Sequence, residues 1–289
     1  MIPFENSIID LIRQRFSCRS FLEEPISDDK LQKLLDFIRT LPAGPFGRKG
    51  NFHVVSASHQ DPQMLHSLGT YGFIKGASGF IIGTVAESPY DLEDFGYQME
   101  KIILFATSLQ LGTCWLGGSF TRSSFALKIN ASETDIIPAV TAIGEIENQE
   151  KARKGLLRRQ IKADQRLDWN QLFFENGFEF QLTRQSAEIW ETPLEMIRLG
   201  PSGSNKQPWR VVRNGDGWHF YLQRTKGYRE NSLNRFLGIA DIQRLDMGIA
   251  MCHFELTSQE LGLQGHWRCQ EPAIERPDPM TEYTISWVN

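Results

Sequence analysis

The feature that most constrains this 289-residue chain is that its second half restates its first. Leu34 to Val55, LLDFIRTLPAGPFGRKGNFHVV, lies over Leu194 to Val212, LEMIRLGPSGSNKQPWRVV, with helix, proline, glycine, aromatic and paired valines in step. Gly96 to Trp115 lies over Asp246 to Trp267, where Met251, Phe254, Leu256 and Leu261-Gly262 repeat an apolar helix and its stop. Tyr283, Ile285 and Trp287 alternate as a closing strand that answers Ile136 to Ile146. Repetition on this scale makes each copy a unit of about 150 residues, a normal domain size. The expectation is an α+β chain in two tandem copies, residues 1–165 and 166–289, which share one interface.

Within the first copy, Ile8, Ile9, Leu11 and Ile12 place a helix over Ser7 to Arg15. Ser27 opens a second helix as a capping box with Lys30 in the acid's place, and Leu31, Leu34, Leu35 and Ile38 form its apolar face. Phe52 to Ala57 and Gly79 to Ala86 are rich in Val, Ile and Phe, as strands are. Asp91 to Leu111 reads as a spine helix, apolar on more than one side, closed by Gly112 before a short strand over Thr113 to Gly118. A basic segment runs from Lys151 to Arg166.

Composition excludes several classes of function. A net charge of -4 and a pI near 5.9 argue against nucleic-acid and anionic-membrane surfaces. The four cysteines share no framework spacing, the start lacks a basic stretch followed by an apolar run, and no apolar run approaches eighteen residues. The chain therefore reads as reduced and cytoplasmic. Cys252, His253, His266 and Cys269 make a poor metal set, because helical neighbours point about 100° apart. Gly200 to Lys206 lacks the second glycine and the following Ser or Thr of a phosphate loop, and neither a G-x-G-x-x-G nor a G-x-S-x-G pattern occurs.

Two polar stretches stand out. Arg15, Ser17, Cys18, Arg19 and Ser20 follow the first helix at once, and can be an anion clamp or a solvated turn. Leu199 to Trp209, LGPSGSNKQPW, stops a helix at Gly200-Pro201 and then offers Ser202, Ser204, Asn205 and Gln207, neutral donors and acceptors suited to the edge of a heteroaromatic ring. The same stretch also suits an ordinary helix-loop-strand corner. Gly117 and Gly118 present bare backbone to a ligand.

Together, Arg15-x-Ser17-x-Arg19 after a helix, the loop Pro201-Ser202-x-x-Asn205-x-Gln207-Pro208-Trp209, and a spine helix ending Leu111-Gly112 ahead of Trp115 and Gly117 resemble the FMN-dependent nitroreductase superfamily. The likeness covers nearly the whole chain, and is greatest to the branch of TM nitroreductases, in which two copies are fused. It implies a three-layer nitroreductase fold arranged as an intramolecular pseudo-dimer, acting as a monomer. In the usual homodimer the arginine segment of one subunit faces the polar loop of the other, with FMN between them. This chain keeps the arginine segment in its first copy and the loop in its second. The reciprocal loop, Pro42-Ala43-Gly44-Pro45-Phe46-Gly47, lacks the serine and asparagine, so one complete site is expected.

The resemblance implies that Arg15, Ser17 and Arg19 hold the phosphate and ribityl chain, with Gly117, Gly118, Pro201, Ser202, Asn205 and Gln207 beside the isoalloxazine. It gives Arg166 a further phosphate contact, a role for which Lys151, Arg153, Arg158 and Arg159 compete. The function implied is an oxidoreductase that takes hydride from NAD(P)H onto FMN and passes electrons to a nitroaromatic, quinone, enone or free flavin. The alternative is a flavin- or ligand-binding protein that no longer turns over. Asp61 to Ile74 and Gly227 to Leu237 are expected to cover the site.

Overall fold

The computed structural model describes residues 4–58, 61, 64–65, 67–146, 165–228 and 239–289. Two sheets are built from the two halves. The first comprises β1 (Asn51–Ser56), β2 (Gly79–Ala86), β3 (Gly112–Leu116), β4 (Asp135–Ile136) and β5 (Val140–Gly144), in the order β1-β2-β5-β3 with β4 paired to the end of β2. The second comprises β6 (Phe173–Glu175), β7 (Trp209–Asn214), β8 (Gly217–Gln223), β9 (His266–Arg268) and β10 (Thr281–Val288), in the order β6-β7-β8-β10-β9. Strands β7, β8, β10 and β9 thus repeat the antiparallel order of β1, β2, β5 and β3. Strand β6 is added to the edge, parallel to β7.

Local chemistry explains where the elements depart from expectation. Pro138 has no N–H for a ladder, so the strand expected over Ile136 to Ile146 divides into β4 and β5. Among the described residues the helices are α1 (Ile8–Gln14), α2 (Asp28–Thr40), α3 (Asp91–Ser108), α4 (Arg122–Ile129), α5 (Glu191–Leu199) and α6 (Ile242–Glu260), with single turns elsewhere. Ser27 does begin α2, but its side chain makes no capping bond, and the face of α2 that is fully buried is Leu34 and Phe37. Helix α3 stops because Gln110 turns left-handed (φ 63°), a place taken by Gly262 (φ 72°) after α6. Gly112, expected to close α3, already lies in β3.

The spine helices α3 and α6 pack on each other between the two sheets. Phe95, Met99, Ile102 and Ile103 of α3 bury against Ile81, Val85 and Ile143 of the first sheet. Met247, Met251 and Phe254 of α6 bury against Val211, Phe220, Ile285 and Trp287 of the second. The helices touch backbone to backbone where they cross. A Cβ on Gly96 would lie 2.2 Å from the Leu245 carbonyl oxygen, and one on Gly248 would lie 2.0 Å from that of Glu93. This reciprocity corrects the register of the repeat: Gly96 answers Gly248, and Asp94 answers Asp246, two residues away from the alignment that the sequence suggested.

The first copy also lends an element to the second. Ile8, Leu11 and Ile12 of α1 belong to the core of the second copy, beside Ile197 and Met251. Glu260 at the end of α6 accepts from Ser7 Oγ at 2.7 Å and from the Ile8 N–H, which fixes the start of α1. Among the described residues, no helix is long and apolar enough to cross a membrane.

Candidate cofactor site between the two copies

Because α1 is rooted in the second copy and ends at Gln14, the residues that follow it emerge at the junction of the halves. The Cys18 N–H then donates to the Thr113 carbonyl at 2.8 Å, and Ser17 bridges to Thr113, which docks the arginine segment along β3. The opposite wall is the loop after α5. A cavity of about 620 Å³ lies between them, within the range of small-molecule sites.

Nine of the ten residues expected from the sequence line this cavity: Arg15, Ser17, Arg19, Gly117, Gly118, Arg166, Pro201, Ser202 and Asn205. Gln207 does not. Its side chain is buried in the loop, where Oε1 accepts from the Leu167 N–H at 2.9 Å and Nε2 donates to the Asn205 carbonyl at 3.3 Å. Gln207 therefore shapes the loop from within. The competing basic residues at 151, 153, 158 and 159 lie outside the described residues, as does 229–237 of the expected cover. Phe73 and Tyr228, from the two covering segments, are on the cavity wall.

The electrostatics suit an anion at one end. Arg13, Arg15, Arg19, Arg166 and Lys206 face the cavity, with Asp246 as the carboxylate among the described lining residues. Nη1 of Arg19 is buried with no hydrogen-bond partner among the described residues. Such a donor is expensive unless a ligand satisfies it. Arg166 is held in place by the Leu199 carbonyl at 3.0 Å and Asn205 Oδ1 at 3.4 Å. The loop itself is strained, since Ser204, Asn205 and Gln207 all take φ between 49° and 56°.

Asp246 holds that loop. Both carboxylate oxygens accept from the Gly203 N–H, at 3.0 and 3.1 Å, and burial pushes this carboxyl well above the ordinary range against the pull of that N–H. In the first copy Asp94 accepts in the same way from the N–H groups of Phe46 and Arg48, and burial raises its pKa to about 6. The two aspartates thus hold corresponding loops, with Phe46 answering Gly203 and, two residues on, Arg48 answering Asn205, although positive φ occurs at Asn205 and Gln207 and not at Arg48 or Gly50. A sequence reader with the corrected register finds Asp246 from Asp94.

The reciprocal ground is built differently. Where Gly203 and Ile242 line the cavity, their counterparts Phe46 and Tyr90 stack face to face, with centroids 4.1 Å apart and planes within 3°. Gly117 is answered by Cys269, whose thiol lies 3.9 Å from the Tyr90 hydroxyl. Gln243 and Leu245 are answered by Asp91 and Glu93, both of which bind Arg244 at 3.0 and 2.6 Å. Among the described residues no cluster is suited to a metal.

The profile of the family described as "Putative TM nitroreductase" matches residues 7–258. The chain belongs to the TM nitroreductase family. The chain is similar in fold to the solved structure of a putative nitroreductase from Thermotoga maritima, at 19% identity and a TM-score of 0.61, over 98% of this chain and 94% of that one. A putative nitroreductase in complex with FMN, from Desulfovibrio desulfuricans, matches at 24% identity and a TM-score of 0.41, over 50% of this chain and 89% of its own. An FMN-dependent nitroreductase from Clostridium difficile matches at 20% identity and 0.41, over 48% and 88%. No curated protein matches the sequence.

Proposed function

We propose that this chain binds FMN in the cavity between its copies and works as an NAD(P)H-dependent oxidoreductase on an electron-poor acceptor, in the class of nitroaromatics, quinones, enones or free flavin. The observation that carries this reading is the pairing of a buried, unsatisfied Arg19 Nη1 with a glycine-backed, partly apolar slot in one cavity. A flavin mononucleotide has a phosphate for the first and a planar ring for the second. We assign residues 1–165 and 166–289 to the two copies that contribute to the site.

The residues present suit the group. Arg15, Arg19 and Arg166 would hold its phosphate, with Ser17 as a hydroxyl partner for the ribityl chain. Ser202 Oγ accepts the Gln207 N–H at 2.8 Å, which fixes the loop and leaves its hydroxyl proton for a ligand. Asn205 would meet a polar edge of the ring. Gly117 lets the ring approach closely, because a Cβ there would already lie 2.5 Å from Ile242 Cδ1. Bound, the flavin would supply the two-electron chemistry, taking hydride from NAD(P)H and passing electrons to the acceptor. Ile239, Ile242 and Trp115 exclude water from the slot, and Phe73 and Tyr228 flank it.

The test is purification followed by spectroscopy. The expected result is a yellow protein, or an apoprotein that takes up FMN, whose flavin bands bleach with NADH or NADPH without oxygen and return with a quinone or nitroaromatic. A protein that takes up no FMN overturns the cofactor assignment. A bound flavin that neither pyridine nucleotide bleaches overturns the enzymatic one.

A further inference from the structure

Beneath the cavity lies a chain of polar contacts that crosses from one copy to the other. His253 of α6 is wholly buried, and both of its ring nitrogens are engaged. Nδ1 lies 2.8 Å from the Met196 carbonyl oxygen, an acceptor, so Nδ1 carries the proton of that bond. Nε2 lies 3.0 Å from Oε1 of Glu100 on α3, also wholly buried. The same carboxylate accepts from Trp115 Nε1 at 2.8 Å and lies 3.7 Å from Arg15 Nε. Arg15 and Trp115 both line the cavity. On the other side, Met196 sits in the last turns of α5, which runs directly into Leu199, Pro201 and Ser202 on the opposite wall.

Charged and polar groups this deep are costly and contribute little net stability. Across the pseudo-twofold Glu100 is answered by Cys252 and His253 by Lys101, while Trp267, which answers Trp115, donates to Glu255 at 2.6 Å, a part-buried carboxylate that also accepts from the Tyr97 hydroxyl of α3 at 2.6 Å. Each side thus has a polar bridge between the copies, and it is the bridge through Glu100 and His253 that reaches residues lining the cavity.

We propose that His253 is a positioning residue of this site. It ties the Glu100, Arg15 and Trp115 wall of the first copy to the α5 end and loop of the second, and so sets the spacing of the two walls. The proposal rests on the reading that the cavity takes FMN, but the bridge itself can be read without it.

The two contacts can be separated. His253→Asn offers an amide in the place of Nδ1 and keeps the Met196 bond, whereas His253→Gln reaches Glu100 and gives up Met196. In the apoprotein, NMR of the Trp115 indole N–H and the Gly203 amide reports each wall. His253→Asn should move the Trp115 signal and leave Gly203. His253→Gln should do the reverse. Each should raise the Kd for FMN about tenfold in a fluorescence titration, while Cys252→Ala, a neighbour in the same core, should change it less than about twofold.

Full FMN affinity in either histidine variant, or both signals moving together in both, overturns the bridge. If the signals divide as expected but the wild-type protein takes up no FMN, the bridge stands and the cofactor assignment falls. Should both histidine variants fail to fold, Glu100→Gln is read as His253→Asn is: the bridge requires the Trp115 signal to move, Gly203 to stay and the Kd for FMN to rise, and full FMN affinity or a Gly203 shift overturns it.

Discussion

Arg19 carries a guanidinium nitrogen that is buried without a hydrogen-bond partner among the described residues, on a cavity wall with four other cations. Its role as a phosphate contact is proposed above, and a charge-assisted bond of that kind contributes about 1.5 to 3 kcal/mol. Arg19→Ala should therefore weaken FMN binding about tenfold to a hundredfold in a fluorescence titration, with the thermal unfolding of the apoprotein little changed. Asp94 makes a different prediction, because burial raises its folded pKa from 3.8 to about 6. Between those values the folded state holds the proton more tightly than the unfolded chain, so the contribution of Asp94 to stability is largest below pH 4 and falls as pH rises to 6. Urea unfolding at pH 4.5 and 7 should show that fall, about 2 kcal/mol, in the wild type and not in Asp94→Asn. At this scale the sequence led to residues that the fold brings to one cavity, as with Arg15, Ser17 and Asn205. Gln207 instead lies inside the loop, and a buried amide that props a loop has the same one-dimensional signature as one that meets a ligand.

The helices decide how the halves meet. Gly96 and Gly248 let α3 and α6 approach to backbone contact, and a Cβ at Gly248 would lie 2.0 Å from one backbone oxygen and 2.6 Å from the Tyr97 nitrogen. Glycine to alanine in a helix gains about 1 kcal/mol in propensity, but forcing a methyl into packed backbone costs about 3, so overpacking wins. Gly248→Ala should lose about 2 kcal/mol in chemical denaturation; an unchanged or raised stability would mean that the crossing has more room than its geometry states. The spine helices were legible because their apolar periodicity is long. Strand β8 was not, since Gly217 to Gln223 follows β7 after only Gly215 and Asp216, whereas β1 and β2 are separated by residues 57–78. Nor were the Glu100 and His253 contacts, which join residues far apart in sequence and have no spacing to betray them.

Across the described residues, the duplication has left a cavity on one side of the pseudo-twofold and a filled counterpart on the other. On the cavity side Gly203, Ile242, Gln243 and Leu245 are small, apolar or neutral. On the other side Phe46 stacks on Tyr90, and Asp91 and Glu93 place two carboxylates, bound to Arg244, where a cofactor anion would have to be tolerated. Steric filling and like charge thus both oppose a second flavin, and opening the stack alone would leave the charge. The packing of α3 on α6 buries surface that separate subunits would share, so on the proposed reading the chain would complete its site without a partner. Titration of the apoprotein should therefore saturate at one FMN per chain, with sedimentation at the mass of the single chain, 33.1 kDa. Asn205→Ala should weaken that binding by about 1 to 3 kcal/mol, by leaving a polar edge of the ring unpaired, and Arg48→Ala at the answering position should not. Two flavins per chain, or equal losses from the two substitutions, would show that Phe46 and Tyr90 yield to a ligand and that the asymmetry of the copies has no functional consequence.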